Sequence, residues 1–252
     1  MFYCDTMKIL ILNSYDELSK KAFEIFKDVI KNNPNSTIGF ATGTTPIGLY
    51  KLIVEAYNNG EISFESVKTF NLDEYVGLGK DHIQSYAYFM YKHLFGNVNI
   101  KRENINLING DCIDPNIECD RYNGLLDDSV IDLQILGLGS NGHIAFNEPG
   151  TSFESITHVV DLEESTIKDN ARLFDDYDDV PRQAITMGIK NIMSAKKIML
   201  LVSGKNKAYA IDEFLKGYID EKLPCSILKR HEDLYVILDI EAASVILKKQ
   251  SK

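Results

Sequence analysis

Short apolar runs alternate with stretches of helical periodicity along almost the whole chain, and this alternation restricts the fold more than any other feature. Lys8 to Leu12 is the first apolar run. Tyr15 to Lys31 follows with apolar residues at Leu18, Ala22, Ile25, Phe26, Val29 and Ile30, the spacing of one helix face. Asn32-Asn33-Pro34-Asn35 is a turn, and Thr37 to Ala41 is a second strand. Pro46 opens a helix to about Asn58, since proline suits the first helical position and Thr45 can cap it. Val67 to Asn71 is a third strand, and Gln84 to Phe95 an aromatic-rich helix. Ile131 to Leu136, Lys197 to Val202 and Leu234 to Leu238 are further strands, and Asn206 to Leu215 and Ala242 to Lys249 further helices. The pattern predicts an α/β fold with a mostly parallel sheet covered on both faces. The chain has no internal repeat, low-complexity tract or dividing linker. Its 252 residues, 44% of them hydrophobic, can bury one large core, so a single domain over 1–252 is expected. The acidic run Asp175-Asp176-Tyr177-Asp178-Asp179 reads as a solvated loop.

The formal net charge is -10, which opposes nucleic-acid binding through basic patches. It leaves room for a small anionic substrate, because salt screens exposed charges beyond about 8 Å. Such a site must bring its own cations and backbone donors. No apolar run approaches the ~20 residues of a membrane span, and the first residues lack the pattern of a secretory signal. Cys4, Cys112, Cys119 and Cys225 form no CxxC pair, which favours free thiols and a cytoplasmic location over a disulfide framework or zinc site.

In an open parallel sheet, ligands bind beyond the carboxyl ends of the strands, so the loops that leave those ends carry the functional information. Four polar loops qualify, and parallel topology brings them to one edge. Gly137 to Gly150 combines glycines, which let backbone approach a ligand, with His143, Glu148, Asn141 and Asn147. His143 is a candidate proton shuttle, with Glu148 near enough in sequence to orient the imidazole and stabilise its charged form. Thr42-Gly43-Thr44-Thr45 precedes a helix N-terminus and resembles a phosphate cradle without a Walker lysine. An ordinary capped turn remains the simpler reading of that segment alone. Ser203 to Lys207 opens another helix, and Lys207 is placed to reach a phosphate held at the first loop, whereas Lys205 reads as a solvent-exposed charge. Arg172 is either a further anion ligand or a surface arginine. Asp73 and Glu74 follow the third strand; in an extended segment they point to opposite faces, so one can serve a site and the other a structural partner. Helix capping explains them equally well. No activated serine or cysteine and no metal-ligand cluster stands out. The residues therefore suggest proton transfer, and His82, His93, His158 and His231 read as structural or surface residues.

Four segments together resemble the glucosamine-6-phosphate deaminase family over nearly the whole chain. They are Ala41-Thr42-Gly43-Thr44-Thr45-Pro46, Thr69 to Leu78 with its FNLDEYVGL core, Gly137 to Pro149, and Ile185 through Ala208. The resemblance implies a three-layer α/β/α sandwich related to sugar-phosphate isomerases. It implies conversion of D-glucosamine 6-phosphate and water to D-fructose 6-phosphate and ammonia, with no organic cofactor and no metal. Asp73 then matches the base that moves a proton between C2 and C1. His143 matches the group that serves O5 in ring opening, and Glu148 and Asn141 match its partners. Thr42, Gly43, Thr44, Thr45, Arg172 and Lys207 match the phosphate site. The family can carry a helical lid within Leu162 to Val180, where the residues themselves show only a mixed polar segment.

Two departures qualify the match. Asn141 stands where some members carry Asp, and asparagine can orient a neighbour but cannot act as a base. Some members are hexamers activated by N-acetylglucosamine 6-phosphate through basic residues; His158 and Val160 stand at those positions, so activation is not expected. A homo-oligomer is compatible with the resemblance. The rivals are 6-phosphogluconolactonase, ribose-5-phosphate isomerase and a sugar-phosphate-sensing domain. A lactonase needs no carboxylate for C–H abstraction, and a sensor that regulates transcription needs a DNA-binding module, for which no segment precedes the first strand.

Overall fold

Helices and strands form where apolar periodicity meets a cap. Ser14 Oγ accepts the backbone N–H of Glu17 at 3.2 Å, and Glu17 Oε2 in turn accepts that of Asn13 at 3.0 Å, a reciprocal arrangement that satisfies donors at the helix start. The computed structural model describes residues 3–4, 7–171, 174 and 176–250. In chain order the elements begin with β1 (Tyr3–Cys4), β2 (Met7–Leu12), α1 (Tyr15–Asn32), β3 (Thr37–Phe40), α2 (Ile47–Asn58) and β4 (Lys68–Asn71). They continue with β5 (Asp73–Tyr75), α3 (Tyr86–His93), β6 (Ile105–Asn106), α4 (Pro115–Asp127) and β7 (Leu133–Gly137). After these come β8 (His158–Asp161), α5 (Glu164–Ala171), β9 (Gln183–Thr186), α6 (Ile189–Met193) and β10 (Ile198–Val202). The last are α7 (Ala208–Lys216), β11 (Leu234–Asp239) and α8 (Ser244–Gln250).

The main sheet has the order β1-β2-β11-β10-β7-β3-β4-β6. All its neighbours are parallel except the short β1, which pairs antiparallel with β2. With helices flanking the sheet, this is the expected α/β sandwich. From β3 the chain builds outward through β4 and β6; from β7 it builds the other way through β10 and β11. The strand order therefore reverses between the adjacent β3 and β7, the place where an open sheet leaves a crevice for a ligand.

The helical stripe read from the sequence of α1 buries Leu18, Ala22, Phe26 and Ile30, with Ile25 and Val29 partly covered beside them. Phe26 meets Phe40 and Phe64, and Phe40 meets Tyr50 and Phe95, within 6.3 Å between ring centres. Each such buried side chain contributes roughly 1.5–3 kcal/mol of transfer free energy. This cluster supports the β3 and β4 side of the crevice.

Three local expectations change. Pro46 itself occupies the cap position of α2 and no side chain caps that helix, so Thr45 does not serve as the cap. The helix expected from Asn206 begins instead at Ala208, and Lys207 closes a 3-10 turn at Lys205–Lys207 and occupies the cap position of α7. Asp73 to Tyr75 is strand rather than loop: past Leu72 the chain leaves the main sheet and joins a small antiparallel sheet of order β5-β9-β8. The backbone N–H of Met187 bonds to Leu72 O at 2.6 Å, and this bond stitches the two sheets together at the crevice.

Candidate active site

The four predicted loops leave β3, β4, β7 and β10, and these four strands lie side by side in the order β10-β7-β3-β4. Their carboxyl ends frame one cavity of about 600 Å³. Thr42, Gly43, Thr44, Thr45, Asp73, His143 and Lys207 all line it. The placement that the enzymatic reading most depends on, Asp73 and His143 at one rim, is therefore met. Arg172 lies outside the described residues, and so does position 175 of the acidic run.

The threonine loop is held from below. Tyr15, the first residue of α1, donates its hydroxyl to Thr44 O at 3.2 Å and Thr45 O at 3.0 Å, and accepts the Gly48 N–H at 2.7 Å. Gly43 turns the chain at a φ of 96°, a left-handed conformation that side chains with a Cβ resist. The loop on β10 is held from its neighbour: the Asp239 carboxylate, at the end of β11, accepts from Ser203 Oγ and from Gly204 N. Asp239 thus anchors the segment that carries Lys207, while Lys205 is exposed as expected.

The glycine loop is shaped around its histidine. A Cβ at Gly139 would lie 2.3 Å from the His143 ring, so only glycine admits the imidazole there. Ala145, two residues on, is the one described non-glycine residue at positive φ, 52°, a local strain that the surrounding bonds must hold. Those bonds come from the loop itself and from β9 and its end. Phe146 N donates to Thr186 Oγ1 at 3.1 Å, and buried Asn147 donates through Nδ2 to Ile144 O and Met187 O. The same Met187 grips Leu72, so one strand end ties the His143 loop to the segment that carries Asp73.

His143 Nδ1 lies 3.1 Å from Glu148 Oε1, a close approach off the ring N–H direction that leaves Nδ1 without an aligned hydrogen bond. Asn141 Nδ2 donates to Glu148 Oε2 at 2.6 Å, and Asn141 Oδ1 accepts the His143 backbone N–H at 3.1 Å. Burial alone would raise the Glu148 carboxyl, but His143 and then Asn141 outweigh it and hold the group below its ordinary value. Glu148 is therefore a fixed anion beside the imidazole. Asn141 and Glu148 stand behind His143 rather than on the cavity wall.

Asp73 has the opposite character. It is 8% exposed, and burial, followed by the nearby charge of Glu74, pushes its carboxyl up to about 8. Two carboxyl groups in one site with opposed shifts are a mark of divided acid–base roles. Asp73 and Glu74 do point to opposite faces: Asp73 lines the cavity, while Glu74 accepts backbone N–H groups at the start of α3.

The α3 wall of the cavity is not apparent from the sequence. Gln84, Ser85, Tyr86 and Phe89 line the cavity with Tyr75, Phe146 and Phe174. Tyr86 Oη and Tyr75 Oη are 3.1 Å apart, and the Tyr86 ring stacks on Phe146 at 6.1 Å. Ser85, which accepts the Tyr88 N–H, was the available signal: a cap residue opening an aromatic helix. A helix, α5, does lie within Leu162 to Val180.

Comparison with known proteins agrees with this geometry. The family described as glucosamine-6-phosphate isomerases/6-phosphogluconolactonase matches residues 13–236. A glucosamine-6-phosphate deaminase of Thermoanaerobacter sp. (strain X514) is 54% identical over 241 residues, 95% of each chain. One of Clostridium botulinum (strain Eklund 17B / Type B) is 52% identical over 247 residues, 98% of this chain and 99% of the relative. A solved monomeric glucosamine-6-phosphate deaminase superposes with a TM-score of 0.92 at 45% identity, covering 95% of this chain and 100% of the other. The 6-phosphogluconolactonase of Trypanosoma cruzi, at 20% identity and a TM-score of 0.77 over 96% of this chain and 97% of its own, shares the fold. With its cavity at the strand-order reversal and this match along its length, the chain belongs to the glucosamine-6-phosphate isomerase/6-phosphogluconolactonase family.

Proposed function

We propose that the protein converts D-glucosamine 6-phosphate and water to D-fructose 6-phosphate and ammonia. The observation that carries the reading is the pairing, around one cavity, of a buried carboxyl with a raised pKa and a histidine backed by a carboxylate. The substrate is mainly a closed ring, so His143 first serves O5 and releases the aldehyde, with Glu148 stabilising the imidazolium. Asn141 carries no proton; it holds Glu148 and the His143 backbone in place. Asp73 then takes the C2 proton, acidified by the adjacent carbonyl, and returns a proton to C1 of the enolamine. The resulting C2 imine adds water and loses ammonia. Each positioned acid–base group supplies ~10²–10⁴-fold.

The phosphate is assigned to the Thr42–Thr45 loop, Lys207 and Arg172, away from the reacting carbons, where its binding energy orients the sugar. The aromatic wall of Tyr86 and Phe146 bounds the space and limits water around the reacting carbons. Identity near 50% to deaminases, against 20% to the T. cruzi lactonase, supports this reading over lactone hydrolysis. No helix among the described residues is long and apolar enough to cross a membrane. Cys112, Cys119 and Cys225 are free thiols, which supports a cytoplasmic location. The test is direct: purified protein mixed with glucosamine 6-phosphate, without nucleotide or added metal, should release ammonia and fructose 6-phosphate in equal amounts. Release of neither product refutes the assignment.

A further inference from the structure

Glu74 is 2% exposed and faces away from the cavity, yet its carboxylate is fully engaged. Oε1 accepts the backbone N–H groups of Tyr75 and Tyr86, and Oε2 that of Ala87, each at 2.9 Å. Tyr86 and Ala87 are the first two residues of α3, and the next donor, Tyr88 N, goes to Ser85 Oγ at 3.0 Å. The start of a helix has unpaired N–H groups and partial positive charge. Here a carboxylate from another element satisfies them. The first turn of α3 supplies Ser85, Tyr86 and Phe89 to the cavity, and Tyr86 joins Tyr75 of β5 to Phe146 of the His143 loop. A single buried anion therefore fixes β5, α3 and, through the aromatic contacts, the glycine loop.

We propose that Glu74 is a positioning residue for Asp73: it clamps the α3 wall against β5 and holds a negative charge directly behind the base. The proposal rests on the function proposed above and adds to it a residue that never meets substrate. The second half of the role follows from chain geometry, because consecutive residues of a strand put the two carboxyl groups on opposite faces of one short strand. The charge of Glu74 adds to burial in making Asp73 hold its proton more tightly. Glu74 is itself pushed up to about 7 by burial, against the pull of its three N–H donors. The two carboxyls therefore titrate as a pair. The other titratable or charged groups around them are Tyr75 on β5, Tyr86 on α3, Tyr122 on α4, and His143 and Lys207 on the cavity wall. A base held near neutral pH is worth more to proton abstraction than one of ordinary carboxylate strength.

A plain helix clamp predicts that changing Glu74 lowers stability and leaves the titration of Asp73 alone. The experiment measures kcat/KM against pH, and the infrared band of the protonated carboxyl that is lost in Asp73→Asn, for wild type, Glu74→Gln and Glu74→Asp. Glutamine keeps the shape but removes the charge and turns an NH₂ toward a backbone donor. In Glu74→Gln the acidic limb and the infrared midpoint should both fall by about one pH unit, since removing a nearby like charge eases ionisation. The plateau of kcat/KM should fall about 10-fold or more as the wall loosens. In Glu74→Asp, which keeps the charge, the limb should return toward wild type. Unchanged titration in Glu74→Gln overturns the proposal. If that variant does not fold, Glu74→Ala takes its place: an acidic limb and infrared midpoint below those of wild type uphold the proposal, and unchanged ones overturn it. A wild type that releases no ammonia refutes the deaminase reading itself, while the infrared titration still reports on the pair.

Discussion

Replacing Asp73 with asparagine removes a charge that the fold has to bury, and the effect on stability can be worked out with its sign. The Asp73 carboxyl rises from an ordinary 3.8 to about 8 in the folded protein, first through burial and then through Glu74. An acid whose pKa is raised by folding binds its proton more tightly in the native state than in the unfolded chain. Its contribution to stability is therefore greatest below the unfolded value and declines as pH climbs toward the folded one. One pH unit corresponds to about 1.4 kcal/mol, so the gap sets a ceiling of roughly 6 kcal/mol for the fully ionised side chain. Asp73 borders an open cavity, and water there recovers part of the desolvation cost, which brings the expected effect to about 3 kcal/mol. The asparagine side chain has nearly the same shape and no charge. Urea unfolding should find the D73N protein close to wild type at about pH 4.5, more stable with each step upward, and ahead by about 3 kcal/mol near pH 8.5. The same variant should still bind fructose 6-phosphate, while the C2 proton of glucosamine 6-phosphate should show no exchange with solvent. Stability curves that run parallel across this range would show that Asp73 is not a buried ionising group. Wild-type exchange in D73N would remove it from the proton transfer.

Lys207→Ala should raise KM by about 10-fold with little change in kcat, because a phosphate contact shared by substrate and transition state is lost; an unchanged KM would take Lys207 out of the phosphate site. Kinetics with glucosamine 6-phosphate should be hyperbolic and indifferent to N-acetylglucosamine 6-phosphate. His158 turns its Nδ1 to Ile156 O at 2.8 Å, and Val160 on β8 offers no charge to a phosphate. Sigmoidal kinetics that the effector makes hyperbolic would contradict this.

The alternation of apolar runs made most of the parallel sheet legible, because β2, β3, β7, β10 and β11 carry apolar residues at most of their buried positions, whereas β4 has only Phe70 and shows through the buried Val67 before it. The Asp73–Glu74 split was legible for the same reason: extended backbone leaves adjacent side chains no other choice. What escaped depends on partners distant in sequence. β5 and β9 are three and four residues long and owe their pairing to each other across more than a hundred residues, a distance at which local pattern carries no signal. α4 opens on the textual marks of a helix, Asp114 as cap and Pro115 just inside. Its buried positions, however, include Glu118 paired with Arg121, so its apolar stripe is interrupted and periodicity fails.

The small sheet matters most, because it converts four separate loops into one site. Parallel topology by itself brings the loop ends only to a common edge. Thr186, Met187 and Asn147 set the His143 loop against Leu72, and Glu74 sets α3 against β5. Thr186, Met187 and Asn147 do not resemble catalytic groups and Glu74 faces away from the cavity, yet together they hold the segments that carry Asp73 and His143. A catalytic motif can therefore be found from the chemistry of its own residues, whereas its working geometry resides in buried neighbours whose letters read as ordinary structure.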